Sequence, residues 1–237
     1  GIAVPEEYGG MGMGFVSTML VCEYISGCTG SLSTAFGAHT GIGTMPIVFY
    51  GTEEQKQKYV PKLASGEHFG SYCLTEPTAG SDANSGKTKA VLSEDGTHYK
   101  ISGQKIWISN AGFANIFIVF ARIEDDKNIT GFIVPNEPNN GISLGEEENK
   151  LGIHSSSTRQ VFFDNTKVPI ENMLSERGNG FKIALNSLNV GRIKLAAACL
   201  DALKRVTSLG VQYATEREQL NTKIIDFRYH QLLILLL

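Results

Sequence analysis

The sequence predicts an α+β fold in which a helical domain, an antiparallel β-domain and a second helical domain follow one another along the chain. Apolar residues recur at helical spacing from Phe15 to Ser65 and again after Asn172. Between Phe69 and Pro169, short stretches rich in aromatic and branched residues alternate with Gly, Asn and Pro, which is typical of strands and turns. Because helices and strands are segregated, a doubly wound parallel sheet is excluded.

The first helical domain is predicted over residues 1–66. Thr52 followed by Gln55 forms a capping-box pattern, which predicts that a helix begins at Glu53. Pro61 should disturb that helix, because proline lacks the amide proton of the helical ladder, and Gly66 should end it.

The β-domain is predicted over residues 67–172. Ser102-Gly103 has the composition of a two-residue hairpin turn, which places Trp107 on the strand that follows. The six predicted strands, all taken as antiparallel, are Phe69–Thr75, Thr97–Ile101, Gln104–Ser109, Asn115–Ala121, Thr130–Val134 and Gln160–Asp164.

The second helical domain, predicted over residues 173–237, is the beginning of a helical bundle. One apolar stripe runs from Phe181 to Leu188 and another from Ile193 to Val206. The final stretch, Arg228 to Leu237, has an apolar run too short to cross a bilayer, which takes about 18 residues or more. Because the chain starts without methionine and stops on an uncapped helical pattern, we expect it to be part of a longer protein.

Composition, charge and residue spacing limit the classes of function and partner that this protein can have. The 237 residues are 42% hydrophobic and 19% charged, as in soluble globular proteins. A formal net charge of -3 without a basic tract argues against nucleic acid as a partner. The four cysteines and five histidines show no metal-ligand spacing. Three of the cysteines stand among apolar neighbours, which favours buried thiols and a reducing compartment, either the cytoplasm or the mitochondrial matrix.

Two segments carry most of the functional information. The first, from Tyr72 through Thr75 to Ser81, is a short strand that breaks at Pro77 into a loop of small residues. The second is Trp107-Ile108-Ser109, on the predicted hairpin. An apolar wall beside free amides and hydroxyls suits a flat polar cofactor. Taken singly, a strand threonine or a lone tryptophan is more often structural, but here both segments occur together.

These two segments resemble the flavin-binding middle domain of the acyl-CoA dehydrogenases, whose members carry Y/F-x-x-T-E-P-x-A-G-S-D and W-I-T/S-N stretches. The resemblance extends from Val4-Pro5-Glu6-Glu7 to about Asp226. It implies the fold of that family, namely a helical domain, a β-barrel domain and a helical bundle. It also implies FAD as the cofactor and oxidation of a fatty acyl-CoA to the trans-2-enoyl-CoA. Electrons would pass to an electron-transfer flavoprotein, and the subunits would form a homodimer or homotetramer.

The resemblance also assigns site residues. It implies that Ser81 contacts both flavin and thioester ligand, that the Ser109 hydroxyl lies near the hydride-accepting nitrogen, and that Ser156 and Arg192 contact the CoA moiety. Arg217 and Leu220 would reach the flavin of a neighbouring subunit, although Leu220 replaces the usual Phe. The residues implied in cofactor binding are Tyr72, Cys73, Leu74, Thr75, Gly80, Ser81, Trp107, Ile108, Ser109, Arg217 and Leu220.

No catalytic base can be assigned. The family places a glutamate either directly before the arginine that matches Arg192 or much later in the chain. The first position is Gly191, which cannot accept a proton, so we expect the base beyond Leu237. The Gly37-Ala38-His39 run leans towards long-chain and very-long-chain members, but acyl chain length stays open.

Three kinds of alternative are open, and one of them, a non-catalytic interaction module built on a helical bundle, would be favoured only if no flavin copurified. A related enzyme could run as an acyl-CoA oxidase or as an enoyl-CoA reductase, because the same groups serve those reactions. A more remote reading is a serine hydrolase, because Gly141-Ile142-Ser143-Leu144-Gly145 matches G-x-S-x-G. With Ser143 as nucleophile, this segment would have to join a parallel core strand to a helix.

Overall fold

The first part of the chain is helical, as predicted. This computed structural model describes residues 1–236, without the side chains of residues 235 and 236. After a short 3-10 turn at Glu6–Tyr8, the chain forms four helices: α1 Phe15–Cys28, α2 Gly30–Gly37, α3 Met45–Tyr50 and α4 Glu53–Ser65. A π-helical turn, Ala38–Gly43, lies between α2 and α3.

The capping box of α4 is confirmed. The Thr52 hydroxyl accepts from the Gln55 amide at 3.3 Å, and the Gln55 side chain accepts from the Thr52 amide at 3.0 Å. Gly66 ends the helix at φ 83°, a left-handed conformation that glycine adopts without strain. The prediction for Pro61 was wrong, because α4 runs through it without a break.

Ten strands are described. They are β1 Gly70–Cys73, β2 Lys89–Leu92, β3 His98–Ser109, β4 Ile116–Ile123, β5 Thr130–Pro135, β6 Ile142–Glu147, β7 Thr158–Pro169, β8 Met173–Leu174, β9 Glu218–Gln219 and β10 Thr222–Lys223. The first eight form one sheet in the order β6-β7-β3-β2-β4-β5-β8, with β1 also paired to β4. Two of its pairs, β1 with β4 and β2 with β4, are parallel, so the prediction of a wholly antiparallel domain was wrong.

The predicted hairpin turn at Ser102-Gly103 was also wrong. The two strands expected on either side of it are one continuous strand, β3, which pairs with β7 along most of its length. The pairing register shifts between Ile101 and Gly103, so the glycine marks a β-bulge. Gly103 has φ 157°, and an added Cβ would lie 2.5 Å from the Thr88 hydroxyl, which explains the glycine.

The C-terminal part is dominated by one helix, α5, which spans Gly180–Glu216 and contains both predicted apolar stripes. A two-residue turn at Leu220-Asn221 joins β9 to β10, with both residues in the left-handed region. Helix α6, Arg228–Leu236, follows. Much of the second stripe is exposed, including Leu195 and Val206.

Two hydrophobic clusters hold these parts together. One joins the N-terminal helices, one face of the sheet and the start of α5, while the other fills the opposite face of the sheet. At the helix–sheet junction a Cβ on Gly43 would lie 2.6 Å from the Gly70 carbonyl carbon, so glycine permits this close approach. Within residues 1–236, no helix is both long and apolar enough to cross a membrane.

Candidate functional site

Two neighbouring cavities lie where the N-terminal helices, the sheet and α5 meet. The first, here called the sheet cavity, has a volume of about 360 Å³ and extends from β1 and the loop after it to β3 and α5. The second, the helix cavity, has a volume of about 400 Å³ and lies between α1, α2 and α5. Five residues line both: Ala38, Ile42, Ser109, Leu188 and Arg192. The two cavities therefore form one continuous cleft.

The structure brings most of the sequence-predicted site residues together in this cleft. Those that line the sheet cavity are Tyr72, Leu74, Thr75, Gly80, Ser81, Trp107, Ile108, Ser109 and Arg192. The hydroxyls of Thr75, Ser81 and Ser109 have no hydrogen-bond partner among the described residues. Three unpaired hydroxyls beside apolar side chains suit a ligand that is both flat and polar.

A buried ion pair fixes the loop that carries Thr75 and Ser81. Lys105 Nζ donates to Glu76 Oε1 at 2.7 Å, and both side chains are almost fully buried. The Glu76 carboxylate also accepts from the amides of Lys87 and Thr88, which closes the loop onto itself. Burial alone would raise the pKa of the Glu76 carboxyl, but the Lys105 ammonium and these donors hold it below its usual value.

Ser109 is held from both sides. Its carbonyl oxygen accepts from the Ser71 hydroxyl at 2.5 Å, which ties β3 to β1. The next residue, Asn110, donates from its side chain to the Ala35 carbonyl at 2.9 Å, which ties β3 to α2. The Ser109 hydroxyl is therefore held where the two cavities meet.

Four sequence-predicted residues lie elsewhere. Cys73 points into the opposite face of the sheet, because neighbouring residues of a strand face opposite sides. Ser156 is fully buried and its hydroxyl has no hydrogen-bond partner among the described residues, but it lines neither cavity. Arg217 and Leu220 are exposed beyond the end of α5.

Arg192 supplies positive charge to the cleft, whose described lining includes no carboxylate or imidazole base. Arg192 is exposed and lines both cavities, and its guanidinium donates to Asn189 Oδ1 at 2.5 Å. Gly191 lines the helix cavity. No Asp, Glu or His is found among the described residues that line either cavity. The expected base beyond Leu237 lies outside the described residues.

The hydrolase reading of Ser143 was wrong. Ser143 is exposed and lies within β6, a strand paired antiparallel to β7, and not on a turn between a strand and a helix. A nucleophile elbow needs that turn to expose its serine.

Other parts of the cleft were missed from the sequence. Ala38 and Ile42 reach it from the π-helical turn, an irregularity that often marks functional sites. Lys194, on α5, lines the helix cavity although it falls in an apolar stripe. A lysine within such a stripe is the signal that could have drawn attention to it. Two of the cysteines, Cys28 and Cys199, are exposed rather than buried.

Family models and relatives agree on what this chain resembles. The acyl-CoA dehydrogenase N-terminal domain matches residues 1–67, the middle domain matches residues 71–166 and the C-terminal domain matches residues 178–236. A probable acyl-CoA dehydrogenase of Bacillus subtilis is 51% identical over 232 residues, covering 98% of this chain and 38% of the relative. The human very long-chain specific acyl-CoA dehydrogenase is 43% identical, covering 96% of this chain and 36% of the relative.

A solved structure agrees with these relatives. The crystal structure of an acyl-CoA dehydrogenase complexed with FAD from Bacillus anthracis superimposes with a TM-score of 0.93 and is 46% identical. The match covers 98% of this chain and 40% of that one, so this chain spans well under half the length of these three relatives. Sequence, fold and cleft agree: the chain belongs to the acyl-CoA dehydrogenase family.

Proposed function

We propose that the full-length protein is a FAD-dependent acyl-CoA dehydrogenase, which converts a fatty acyl-CoA to the trans-2-enoyl-CoA and passes electrons to an electron-transfer flavoprotein. The single observation that supports this most is the position of Ser109 where the sheet and helix cavities meet. A group held there can contact a cofactor in one cavity and a substrate in the other.

The sheet cavity fits a flavin ring. The apolar side chain of Leu74 can cover one of its faces, while the unpaired hydroxyls of Thr75, Ser81 and Ser109 can hydrogen-bond to its polar edge. Trp107, at 64% exposure, offers an indole wall at the mouth. When bound, the flavin supplies the two-electron acceptor that removal of a hydride requires. The residues of this chain would orient it.

The helix cavity fits the acyl chain. Its lining is mostly apolar, with Phe36, Leu188 and Leu195 among its walls, so it can bury methylene groups. Arg192 lies where it can pair with an anionic group of the CoA moiety. Removal of the α-proton needs a base, which the rest of the full-length chain would supply. The exposed Arg217 and Leu220 are available to a neighbouring subunit in a homodimer or homotetramer.

The experiment is anaerobic titration of the purified full-length protein with saturated acyl-CoAs of graded length. We expect a yellow protein whose flavin absorbance bleaches with at least one length, and an electron-transfer flavoprotein should then reoxidise it. Free fatty acids of the same lengths are the control and should not bleach it. A colourless protein, or one that no acyl-CoA bleaches, would refute the proposal.

A further inference from the structure

Lys194 is a buried lysine that neither the fold nor the proposed chemistry yet explains. It lies in α5 and only 6% of it is exposed. Its ammonium makes one long hydrogen bond, to the Thr40 carbonyl at 3.4 Å, and the side chain lines the helix cavity. An ammonium has three protons to donate, so most of its hydrogen-bonding capacity is left unused by the described residues.

A second buried lysine among the described residues, Lys105, has an ammonium whose hydrogen-bonding capacity is fully used. Lys105 donates to a carboxylate, Glu76, and to the carbonyls of Leu74 and Phe120, all within 3.2 Å. By contrast, none of the carboxylates described in residues 1–236 lies within 4 Å of Lys194 Nζ. Burial lowers the pKa of Lys194, and the Cys22 thiol beside it opposes this shift only in part.

The surroundings of Lys194 favour an anion. The charged residues that line the helix cavity are Arg192 and Lys194, both cations, and the remaining lining is apolar or uncharged. Lys194 and Phe36 also line a small neighbouring cavity next to the N-terminal segment, so together they form the wall between the two spaces. A chain that enters the helix cavity therefore reaches the Lys194 side chain at this wall. A carboxylate there would find a partner and no like charge.

We infer that Lys194 is a specificity-determining residue, whose ammonium binds a carboxylate carried by the acyl chain. The enzyme should therefore prefer ω-carboxylated acyl-CoAs over saturated acyl-CoAs of equal carbon number that lack this carboxylate. The inference rests on the proposed function. It adds the substrate class: an acyl thioester whose acyl chain carries a carboxylate for Lys194 to bind. The apolar lining of the helix cavity accommodates the methylenes.

The test compares the full-length wild type with Lys194→Met, which retains the length of the side chain and removes its charge. Each is assayed by anaerobic flavin bleaching and by kcat/KM with paired series of ω-carboxylated and saturated acyl-CoAs. The preference of the wild type for the carboxylated member should fall by between about tenfold and a hundredfold in Lys194→Met, as expected for a hydrogen bond between charged groups.

Lys182→Met is the matched control, because Lys182 is an exposed lysine of the same helix that lines neither cavity. It should leave the preference unchanged. If Lys194→Met does not retain flavin, Lys194→Gln, which retains a polar head without charge, is assayed with the same criterion.

Three outcomes are decisive. A preference that falls only in the Lys194 variant supports the inference. If saturated acyl-CoAs bleach the wild type, and the ratio of kcat/KM between carboxylated and saturated members is the same in Lys194→Met, the inference is overturned and the proposed function stands. Failure of both series to bleach the wild type overturns both.

Discussion

Replacing Lys105 by methionine tests whether the buried ion pair with Glu76 fixes the loop that carries Thr75 and Ser81. Methionine preserves most of the volume but removes three hydrogen bonds, to Glu76 at 2.7 Å, to Leu74 at 3.2 Å and to Phe120 at 2.6 Å. The Glu76 carboxylate would then be buried without a cation, supported only by the amides of Lys87 and Thr88. The loop that carries Thr75 and Ser81 would lose its anchor.

The expected loss in the free energy of unfolding of Lys105→Met is large. Removing one partner of a buried ion pair destabilises a protein by about 3–5 kcal/mol. Each carbonyl left without a donor costs about 1–3 kcal/mol, although such terms are not additive. Glu76 retains its backbone donors, so we expect a loss of about 3–5 kcal/mol in the free energy of unfolding, against a total of about 5–15 kcal/mol.

The loss should also depend on pH. With Lys105 present, the pKa of Glu76 lies below its unfolded value, so its contribution is complete above about pH 4.3 and is lost as the pH falls through the folded pKa. Without the cation, burial raises the pKa of Glu76 instead, and protonation relieves the buried charge. The difference in stability between wild type and Lys105→Met should therefore shrink as the pH falls from 7 towards 4.

Urea denaturation at several pH values measures this difference. Lys62→Met is the control, because Lys62 pairs with Glu67 at 2.9 Å on the surface, where both side chains are at least half exposed. Such a pair contributes about 0–1 kcal/mol. A loss below about 1 kcal/mol in Lys105→Met, or one equal to that of the control, would refute the reasoning.

Three further predictions follow from the site and its supports. Ser109→Ala should slow flavin reduction by acyl-CoA about threefold to tenfold while changing the dissociation constant less, and equal effects on both would contradict its role. Burial lowers the pKa of His39, so its contribution to stability is present above about pH 6.5 and is lost as the pH falls through the folded pKa. His39→Gln should flatten this dependence of the unfolding free energy on pH, measured by urea denaturation, and an unchanged dependence would contradict the assignment. Gly43→Val should lower the melting temperature by forcing β1 away from the helices, whereas Gly37→Ala, with open space at the added methyl group, should not.

Local signals in the sequence were sufficient for much of the fold. The capping box at Thr52 is a contact between residues three apart, so the sequence contains all of it. Strand pairing joins distant residues and has no such local signal. β2, Lys89–Leu92, was missed because Ala90 is its one buried residue, so the strand shows no apolar alternation. The parallel pairing of β1 with β4 could not be read from either segment alone.

Most residues of the candidate site could be predicted from the sequence, but their positions relative to one another could not. Thr75, Ser81 and Ser109 share the cleft because β1 and β3 meet beside it, and the motif resemblance was enough to select them. That Ser156 is buried outside both cavities could not be foreseen, since its environment depends on how residues 152–158 fold. Lys194 was missed because an apolar stripe was interpreted as packing, although its neighbour Leu195 is exposed and packing does not explain a buried ammonium.

Trp107 shows why a residue can be identified from sequence while its direction cannot. In a regular strand, Lys105, Trp107 and Ser109 would share one face. Here Lys105 and Ile108 are both buried, Trp107 is 64% exposed, and the pairing register shifts between Lys105 and Ile108. Trp107 itself has φ 57°, a left-handed conformation that costs a non-glycine residue about 1–2 kcal/mol. This bulge leaves the lysine inside, where it anchors the loop, and turns the indole out to the cleft, so one local irregularity serves both stability and binding.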